Sequence, residues 1–361
     1  MIYISYGPFS FDKQILSIIV GVLLTGICKA IPVMLFSPKQ FIRKPSQWLH
    51  YINDYRATLS AANNFAFNYC VKRIRDTDVQ GIDLSSWRIC FNGSEHISAK
   101  IIEEFNEKFT NIGFDEKAML PCYGLAEATL AVTISDKDAK PNVFSFDSKA
   151  MYEDCLAKEC QDKSKNSIKL VSLGNVDSNT EIKIEKSCGE EAEEGKIGEI
   201  IIKGKSLFSN YLNSKDECLR DGWFATGDLG FIYKNNLFIT GRKKDLIIIN
   251  GRHYLPSEIE KTVINKEYAG IKACVAFSVY ELNNEDEKLA LVIETVISKE
   301  DLLLDIIKKI KNNIFEEVGV RVKYIFATRK IERTINGKVR RQDCKLKYTN
   351  MINKKLKSKQ N

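Results

Sequence analysis

The first half of the chain alternates between helix-like and strand-like spacings of apolar residues. Positions 99–109 repeat apolar residues at helical spacing, which is typical of an amphipathic helix. Positions 86–92 are mostly apolar and end at Gly93, which favours a buried strand followed by a turn. Helical spacing also covers 45–55 and 66–75. Strand, turn and helix in succession predict a layered α/β architecture.

An apolar run at 15–27 requires a separate interpretation. It is too short to cross a bilayer, and Lys29 separates it from the next apolar segment. It also lacks the basic start and the small-residue cleavage site of a signal peptide. We therefore predict no membrane span, but a buried helix, a turn at 26–29 and a buried strand at 31–36.

The spacing changes after Leu130, because positions 135–167 are largely polar and lack a sustained hydrophobic period. This polar pattern predicts an insertion or a long surface segment. A β-rich subdomain should follow, since short apolar runs are separated by Gly, Asp and Asn. These runs lie at 169–173, 181–185, 199–203, 231–233 and 237–240, and the last two predict a hairpin.

A compact α+β pattern occupies the chain beyond 241–244. Its predicted elements are helices from 257 and at 301–315, with strands at 274–278, 289–295 and 324–327. We therefore predict a larger N-terminal α/β domain over 1–241 and a smaller C-terminal α+β domain over 242–361.

Composition agrees with an ordinary globular protein, with 44% hydrophobic and 28% charged residues. The formal net charge is +7. Part of it comes from a lysine cluster near the C-terminus: Lys345, Lys347, Lys354, Lys355, Lys357 and Lys359. The cluster lacks the interleaved aromatic residues of a nucleic-acid stacking surface. We therefore predict a solvated, frayed terminus and no nucleic-acid partner, with an acidic protein partner as the alternative.

The ten cysteines are scattered and form no Cys-x-x-Cys pair. Only three histidines are available to join them, so the sequence predicts no metal-ligand cluster. Scattered thiols without a disulfide framework favour a reducing compartment, which predicts a cytoplasmic protein.

Four segments contain residues suited to catalysis: YGLAEATL from Tyr123, TGDLGF from Thr226, GRKKDLIIINGRHYLPSEIE from Gly241 and RTINGKVRR from Arg333. Each alone has a structural explanation, such as an exposed Glu127 at a helix start, a β-turn at 226–228 or a surface Lys338. Together, in this order, they resemble the adenylate-forming superfamily, and most closely the fatty acyl-AMP ligases. FSPKQFIRKPSQWL, SAANNFAF and DLSSWRICFNGSE extend the resemblance.

Two features favour a fatty acyl-AMP ligase over an acyl-CoA synthetase, which remains the alternative. Ala126 stands where the wider superfamily has Thr, as in these ligases. The polar segment after Leu130 occupies a region where these ligases carry an insertion. His253 departs from the family, which more often has Asn after Gly-Arg.

The resemblance implies a partial adenylate-forming domain followed by the mobile C-terminal domain of that family. The implied reaction joins a fatty acid to ATP, giving acyl-AMP and pyrophosphate. The acyl group would then pass to an acyl carrier protein or to a carrier domain of a polyketide or peptide synthase. Positions 60–67 resemble the helix that lines the acyl tunnel.

The same resemblance assigns roles to individual residues. Lys338 matches the catalytic lysine, which stabilises charge between the attacking carboxylate and the α-phosphate. Glu127 matches the second catalytic residue, the ligand of Mg²⁺. Lys244 matches the hinge. Residues that match the ATP/AMP contacts are Gly93, Ser94, Glu95, Tyr123 and Gly124 around adenine, and Asp228 and Arg242 at the ribose.

The family's phosphate loop, rich in Ser, Thr and Gly, has no counterpart in these residues. The nearest pattern, at 198–206, has one residue too many for a Walker A motif, and we interpret it as a strand and turn. We therefore expect an N-terminally truncated enzyme, with a separately encoded N-terminal part as a further partner. The alternative from another class is an inactive remnant that binds adenylate or a partner.

Overall fold

The computed structural model describes residues 3–6, 17–161, 167–176, 180–213, 217–249, 252–266, 268–281, 284–333 and 339–357. The chain divides into two compact units. The first unit comprises Met1–Asp147, Ala157–Thr226 and Gly230–Ile239; the second comprises Ser148–Leu156, Gly227–Leu229 and Thr240–Asn361. Sheets and helices alternate as predicted, so the α/β class is confirmed.

A six-stranded sheet forms the centre of the first unit, in the order β2-β1-β3-β4-β5-β6. Its strands are β1 (Tyr3–Tyr6), β2 (Val33–Phe36), β3 (Leu59–Asn63), β4 (Ile89–Gly93), β5 (Met119–Gly124) and β6 (Ala131–Ile134). The paired strands run parallel except for β6, which is antiparallel to β5. Parallel strands connected by helices are the layered arrangement that the sequence predicts.

Helices α1 to α5 join these strands: α1 (Thr25–Cys28), α2 (Pro38–Arg43), α3 (Ser46–Asp54), α4 (Asn64–Arg73) and α5 (Ala99–Phe109). The bounds of α5 are those that the apolar spacing predicts. The helix predicted at 60–67 is wrong in its first half, because 59–63 belong to β3 and the Asn63 side chain caps the helix that follows.

An aromatic cluster fills the space between the helices and the sheet. Trp48 and Trp87 meet edge to face with ring centroids 5.1 Å apart, and Phe67 and Phe105 do the same at 5.1 Å. Phe114 contacts both Trp87 and Phe105 at 5.1 Å. All five side chains are buried. Edge-to-face contacts of buried rings fix how α3, α4 and α5 pack.

The apolar N-terminal run is less buried than predicted. A π-helix at Ser17–Leu24 continues directly into α1, so the predicted turn at 26–29 begins later, at Lys29. Ile27 is 75% exposed, and in β2 only Phe36 is fully buried. Among the described residues, no helix is long and apolar enough to cross a membrane.

The segment predicted as an insertion or a long surface segment contains ordered structure. It includes β7 (Val143–Asp147) and α6 (Ser148–Glu153), and it ends in β8 (Ser167–Val171), which pairs with β7. Phe146 is fully buried, with its ring 5.1 Å from that of Phe231. The hydrophobic pattern did not predict this strand because it buries a single aromatic side chain, Phe146, against a sequence-distant partner. The assignment as an insertion stays a prediction.

A five-stranded sheet forms the β-rich subdomain. Its strands are β9 (Thr180–Glu185), β10 (Gly198–Gly204), β11 (Leu219–Arg220), β12 (Trp223–Tyr233) and β13 (Asn236–Arg242). The predicted hairpin is present, with Lys234 and Asn235 at φ of +48° and +60°. The pattern at 198–206 is a strand and turn, as predicted.

The second unit is an α+β structure. Its strands are β14 (Ile247–Ile249), β15 (Arg252–Tyr254), β16 (Ile271–Glu281), β17 (Asn284–Thr295) and β18 (Val322–Thr328), and its longer helices are α7 (Pro256–Asn265), α8 (Glu300–Val318) and α9 (Arg341–Lys357). The predicted frayed terminus is wrong for 341–357, because α9 buries Cys344, Tyr348 and Ile352 against the β16 and β17 side of the sheet.

Candidate functional site

The carboxyl ends of β4 and β5 bring two candidate glycines to one edge of the first sheet. A Cβ at Gly93 would lie 2.8 Å from the Cys122 sulfur, and a Cβ at Gly124 would overlap the Leu130 carbonyl oxygen. Both positions therefore exclude a side chain, and the chain exposes only backbone there. The carboxyl edge of a parallel sheet is where open α/β folds bind ligands.

The turn after Gly93 is shaped by Ser94 and Glu95. Ser94 has a φ of +67°, a left-handed conformation that few non-glycine residues adopt. The Glu95 carboxylate accepts a hydrogen bond of 2.6 Å from the backbone N–H of Phe65, in the first turn of α4. The carboxylate thereby caps the helix and suits its dipole. The contact to adenine predicted for 93–95 stays a prediction.

Tyr123 is only 7% exposed and lies within the hydrophobic core of the first unit. Its backbone pairs with Thr133 of β6. The sequence predicts that its ring stacks on adenine. The structure shows the ring largely covered by protein, so an adenine could meet only its remaining exposed part.

Glu127 lies in a short 3₁₀ helix, Ala126–Ala128, and is 9% exposed. The Tyr211 hydroxyl donates a hydrogen bond of 2.9 Å to its Oε1. Desolvation, together with this hydrogen bond, raises the pKa of Tyr211 to about 12. A single carboxylate suits Mg²⁺, which commonly takes one or two carboxylates and completes its shell with phosphates and water.

Asp228 and Arg242 meet across the β12–β13 hairpin. Arg242 Nε lies 2.8 Å from Asp228 Oδ1, and the two side chains are 43% and 8% exposed. The turn considered at 226–228 is absent, because these residues continue β12, with Gly227 at a φ of +72°. The hairpin therefore presents a nearly buried carboxylate held by a half-exposed guanidinium.

The predicted hinge residue Lys244 lies in a 3₁₀ helix, Lys243–Asp245, directly after β13. Gln342 of α9 donates hydrogen bonds to the Lys244 carbonyl at 3.3 Å and to Asp245 Oδ1 at 2.6 Å. The neighbouring Arg341 binds both oxygens of Glu260, with Nη2 3.1 Å from Oε2. These contacts fasten the turn, and also α7 through Glu260, to the start of α9.

Lys338, the predicted catalytic lysine, lies outside the described residues. The residues on either side of 334–338 are described, and Arg333 and Val339 form an isolated β-bridge. The Arg340 N–H donates to the Glu332 carbonyl at 3.1 Å. The base of the segment that contains Lys338 is therefore closed by hydrogen bonds.

Residues 1–212 match the family described as AMP-binding enzymes. The chain belongs to this family. It is 29% identical to the medium-chain-fatty-acid–[acyl-carrier-protein] ligase TtuA of Teredinibacter turnerae, over 93% of this chain and 55% of that protein. It is 31% identical to the putative fatty-acid–CoA ligase FadD21 of Mycobacterium tuberculosis, over 96% of this chain and 62% of that protein.

A solved structure from work on fatty acyl-adenylate ligases of E. coli and L. pneumophila resembles this AMP-binding enzyme with a TM-score of 0.87. The two are 32% identical, over 97% of this chain and 62% of the other. These similarities confirm the resemblance to fatty acyl-AMP ligases. The chain spans 55–62% of the length of these relatives.

Sequence reasoning missed Tyr211 and Gln342 as partners of candidate site residues. Tyr211 is 84 positions from Glu127, and no spacing links them. Gln342 directly follows the RTINGKVRR segment. Its closeness to Lys338 in the sequence is the one feature that could have suggested a role for it.

Proposed function

We propose that this AMP-binding enzyme carries out the chemistry of a fatty acyl-AMP ligase, in which a fatty acid and ATP give acyl-AMP and pyrophosphate. The observation that carries the proposal is the TM-score of 0.87 to a fatty acyl-adenylate ligase structure over 97% of this chain. The positions of Gly93 and Gly124 support it, because they end β4 and β5 at the carboxyl edge of the first sheet, the edge at which open α/β folds bind ligands.

The charges of the reaction explain the proposed roles. A carboxylate must approach an anionic α-phosphate, so a nearby cation lowers the barrier by stabilising the developing charge. We assign that role to Lys338. Mg²⁺ would neutralise phosphate oxygens when bound, and Glu127 would hold it. The Tyr211 hydrogen bond would orient the Glu127 carboxylate.

The residues that match the family's nucleotide contacts would have the following roles. Asp228 would accept hydrogen bonds from the ribose hydroxyls, and Arg242, whose Nε lies 2.8 Å from Asp228 Oδ1, would hold its carboxylate in place. Backbone of Gly93–Glu95 and Gly124, with the exposed part of Tyr123, would contact adenine. Lys244 would be the hinge of a C-terminal domain that begins at 242.

We propose an acyl carrier protein, or a carrier domain of a polyketide or peptide synthase, as the acceptor. The name of TtuA, a ligase to an acyl carrier protein, supports this choice. We place the reaction in the cytoplasm, which fits ten cysteines that are all free thiols. The name of FadD21 keeps CoA as the second candidate acceptor.

The test is ATP–pyrophosphate exchange with a panel of fatty acids. It is run on this chain alone and on the chain mixed with a separately encoded N-terminal part. We expect exchange that Lys338→Ala abolishes and that Lys330→Ala, an exposed lysine nearby, leaves unchanged.

Three outcomes are informative. No exchange in either format, with folding shown by circular dichroism, would contradict the proposal and favour an inactive remnant. Exchange that survives Lys338→Ala would contradict the assignment of the lysine. Formation of acyl-CoA when free CoA is added would identify an acyl-CoA synthetase instead.

A further inference from the structure

A surface pocket of the first unit lies apart from every residue assigned above. It has a cavity volume of about 500 Å³ and is formed where α2 ends, α3 begins and α4 ends. Its charged lining consists of four cations and one acid: Arg43, Lys44, Arg73, Arg75 and Asp78. The excess of positive charge distinguishes this pocket from an ordinary surface groove.

The single acid is already paired within the lining. The Arg75 guanidinium donates to both carboxylate oxygens of Asp78, at 3.2 Å and 3.1 Å. Arg43, Lys44 and Arg73 form no salt bridge with any described residue. Lys44 is close enough to Asp78 to help lower the pKa of that carboxyl, after the larger effect of Arg75. The lining as a whole therefore carries four positive charges against one negative charge, and like charges repel when they are close.

The start of α3 adds a polar group that lacks a partner. Pro45 occupies the N-cap position, so no side chain caps this nine-residue helix. Ser46 lines the pocket, is only 3% exposed, and its hydroxyl makes no hydrogen bond with the described residues. A hydroxyl that lines a pocket without a partner among the described residues is available to a ligand, and a helix N-terminus attracts anions. Both features favour an anionic ligand beside Ser46.

A purely structural explanation covers only part of this arrangement. Arg43 and Arg73 lie in the last turns of α2 and α4, where cations suit the helix dipole. That explanation leaves out Lys44 and gives the Ser46 hydroxyl no partner. It also does not explain why the basic ends of α2 and α4 both lie beside the uncapped start of α3.

The pocket has an apolar side as well. Tyr69 and Ile74 belong to its lining, and the Tyr69 hydroxyl is fixed by a 2.8 Å hydrogen bond to the Ile42 carbonyl. The Arg73 guanidinium lies 5.6 Å from the centroid of the Tyr69 ring. A ligand here would meet cations beside an aromatic and aliphatic surface.

We propose that this pocket binds the dianionic phosphate group of a small organic phosphomonoester. Arg43, Lys44 and Arg73 neutralise the phosphate, and Ser46 donates its hydroxyl hydrogen to a phosphate oxygen. The organic part packs against Tyr69. The site is separate from the nucleotide-binding residues and does not depend on the proposed ligase reaction.

The experiment is isothermal titration of the whole chain with phenyl phosphate and with inorganic phosphate, at low ionic strength. We expect saturable binding of both, with phenyl phosphate the tighter ligand. Arg73→Glu should weaken phenyl phosphate binding by more than about tenfold, since it reverses a charge at the phosphate. Ser46→Ala should weaken it by about tenfold, the usual effect of one hydrogen bond to a charged group.

Lys72→Glu is the matched control, because Lys72 is exposed, adjacent to Arg73 and outside the lining. It makes the same change of net charge and should alter the affinity by less than about twofold. Ser46→Ala removes a single oxygen atom, so it tests the site if Arg73→Glu does not fold. Failure of wild-type protein to bind phenyl phosphate, or equal losses in Lys72→Glu and Arg73→Glu, would overturn the proposal.

A further arm identifies the source of the phosphate group. Vesicles that contain phosphatidic acid present the same phosphomonoester on a lipid. We expect the chain to bind soluble phenyl phosphate without sedimenting with these vesicles. Sedimentation that Arg73→Glu abolishes would overturn the assignment to a small soluble ligand.

Discussion

Replacing Arg341 by methionine should destabilise the second unit strongly. The Arg341 guanidinium binds both oxygens of Glu260 and donates to the Ala276 carbonyl at 2.8 Å. The side chains of Arg341 and Glu260 are only 20% and 19% exposed. Methionine keeps the aliphatic stem and the helix propensity of arginine, so the change removes the charge and the hydrogen bonds and little else.

The expected loss of unfolding free energy in Arg341→Met depends on which contacts remain around Glu260. Without Arg341 its Oε1 retains the 2.8 Å hydrogen bond from the Ala276 N–H, but its negative charge loses its partner. Breaking a buried ion pair from one side costs about 3–5 kcal/mol. The adjacent Arg340 pairs with Asp343 at 2.7 Å, with side chains 53% and 42% exposed. Arg340→Met should therefore cost only about 0–1 kcal/mol.

The assay must report on the second unit, and tryptophan fluorescence does not, because Trp48, Trp87 and Trp223 all belong to the first. We would measure the free energy of unfolding by hydrogen exchange of β16 and β17 peptides in increasing urea. Fluorescence then serves as an internal reference for the first unit. A loss below about 1 kcal/mol in Arg341→Met, or equal losses in both variants, would refute the buried pair.

The pH dependence gives a second test of the same pair. Burial raises the pKa of Glu260, and Arg341 opposes that rise. Removing Arg341 should therefore raise the pKa in the folded state further above its unfolded value. A group with a raised folded pKa stabilises the fold at low pH and loses that contribution as pH rises through it. The deficit of Arg341→Met should shrink as the solution is acidified, and a deficit that grows instead would contradict this assignment.

Three further predictions concern the candidate site. Tyr211→Phe should remove one tyrosinate step near pH 12 from an ultraviolet titration, because the Tyr211 pKa is raised to about 12 beside Glu127. The stability that protonated Tyr211 contributes is complete below the pKa of this residue in the unfolded chain. It is lost as the pH rises through the pKa of Tyr211 in the folded protein. Glu127→Gln should raise the Mg²⁺ concentration needed for half-maximal exchange by at least about tenfold, since it removes the ligand charge. Gly124→Ala should lower the free energy of unfolding by about 2 kcal/mol or more, measured by urea titration, because its Cβ would overlap the Leu130 carbonyl oxygen.

The sequence predicted secondary structure best where apolar residues repeat with one regular period and face a single hydrophobic core. Helix α5 has the predicted bounds, because Ile102, Phe105 and Phe109 repeat at helical spacing and all face the same core. The hairpin at Lys234–Asn235 was predicted by its turn residues, which adopt the left-handed conformations that a two-residue loop requires.

The misses come from contacts that are distant in sequence. Helix α9 is predominantly polar, and its only signal is a four-residue spacing of Cys344, Tyr348 and Ile352. Gly227 resembles a turn residue, yet pairing with neighbouring strands keeps it within β12 despite its φ of +72°. Local preference is weak beside such tertiary pairing.

The candidate site shows the same contrast between what local sequence patterns predict and what depends on contacts distant in sequence. The order of the motifs suggested the candidate residues, while the structure shows which side chains contact them, such as Tyr211 on Glu127 and Arg242 on Asp228. These partners lie 84 and 14 positions away and follow from folding alone. Resemblance to a family therefore suggests candidate residues, but it does not reveal which side chains contact them.

The contacts around α9 also constrain how the proposed hinge could work. Gln342 ties Asp245 to α9, and α9 begins two residues after Val339, which closes the base of the segment that contains Lys338. Asp245 therefore belongs with the structure that carries Lys338. A backbone rotation at Lys244 would move Asp245, α9 and the base of that segment together, because no contact between them needs to break.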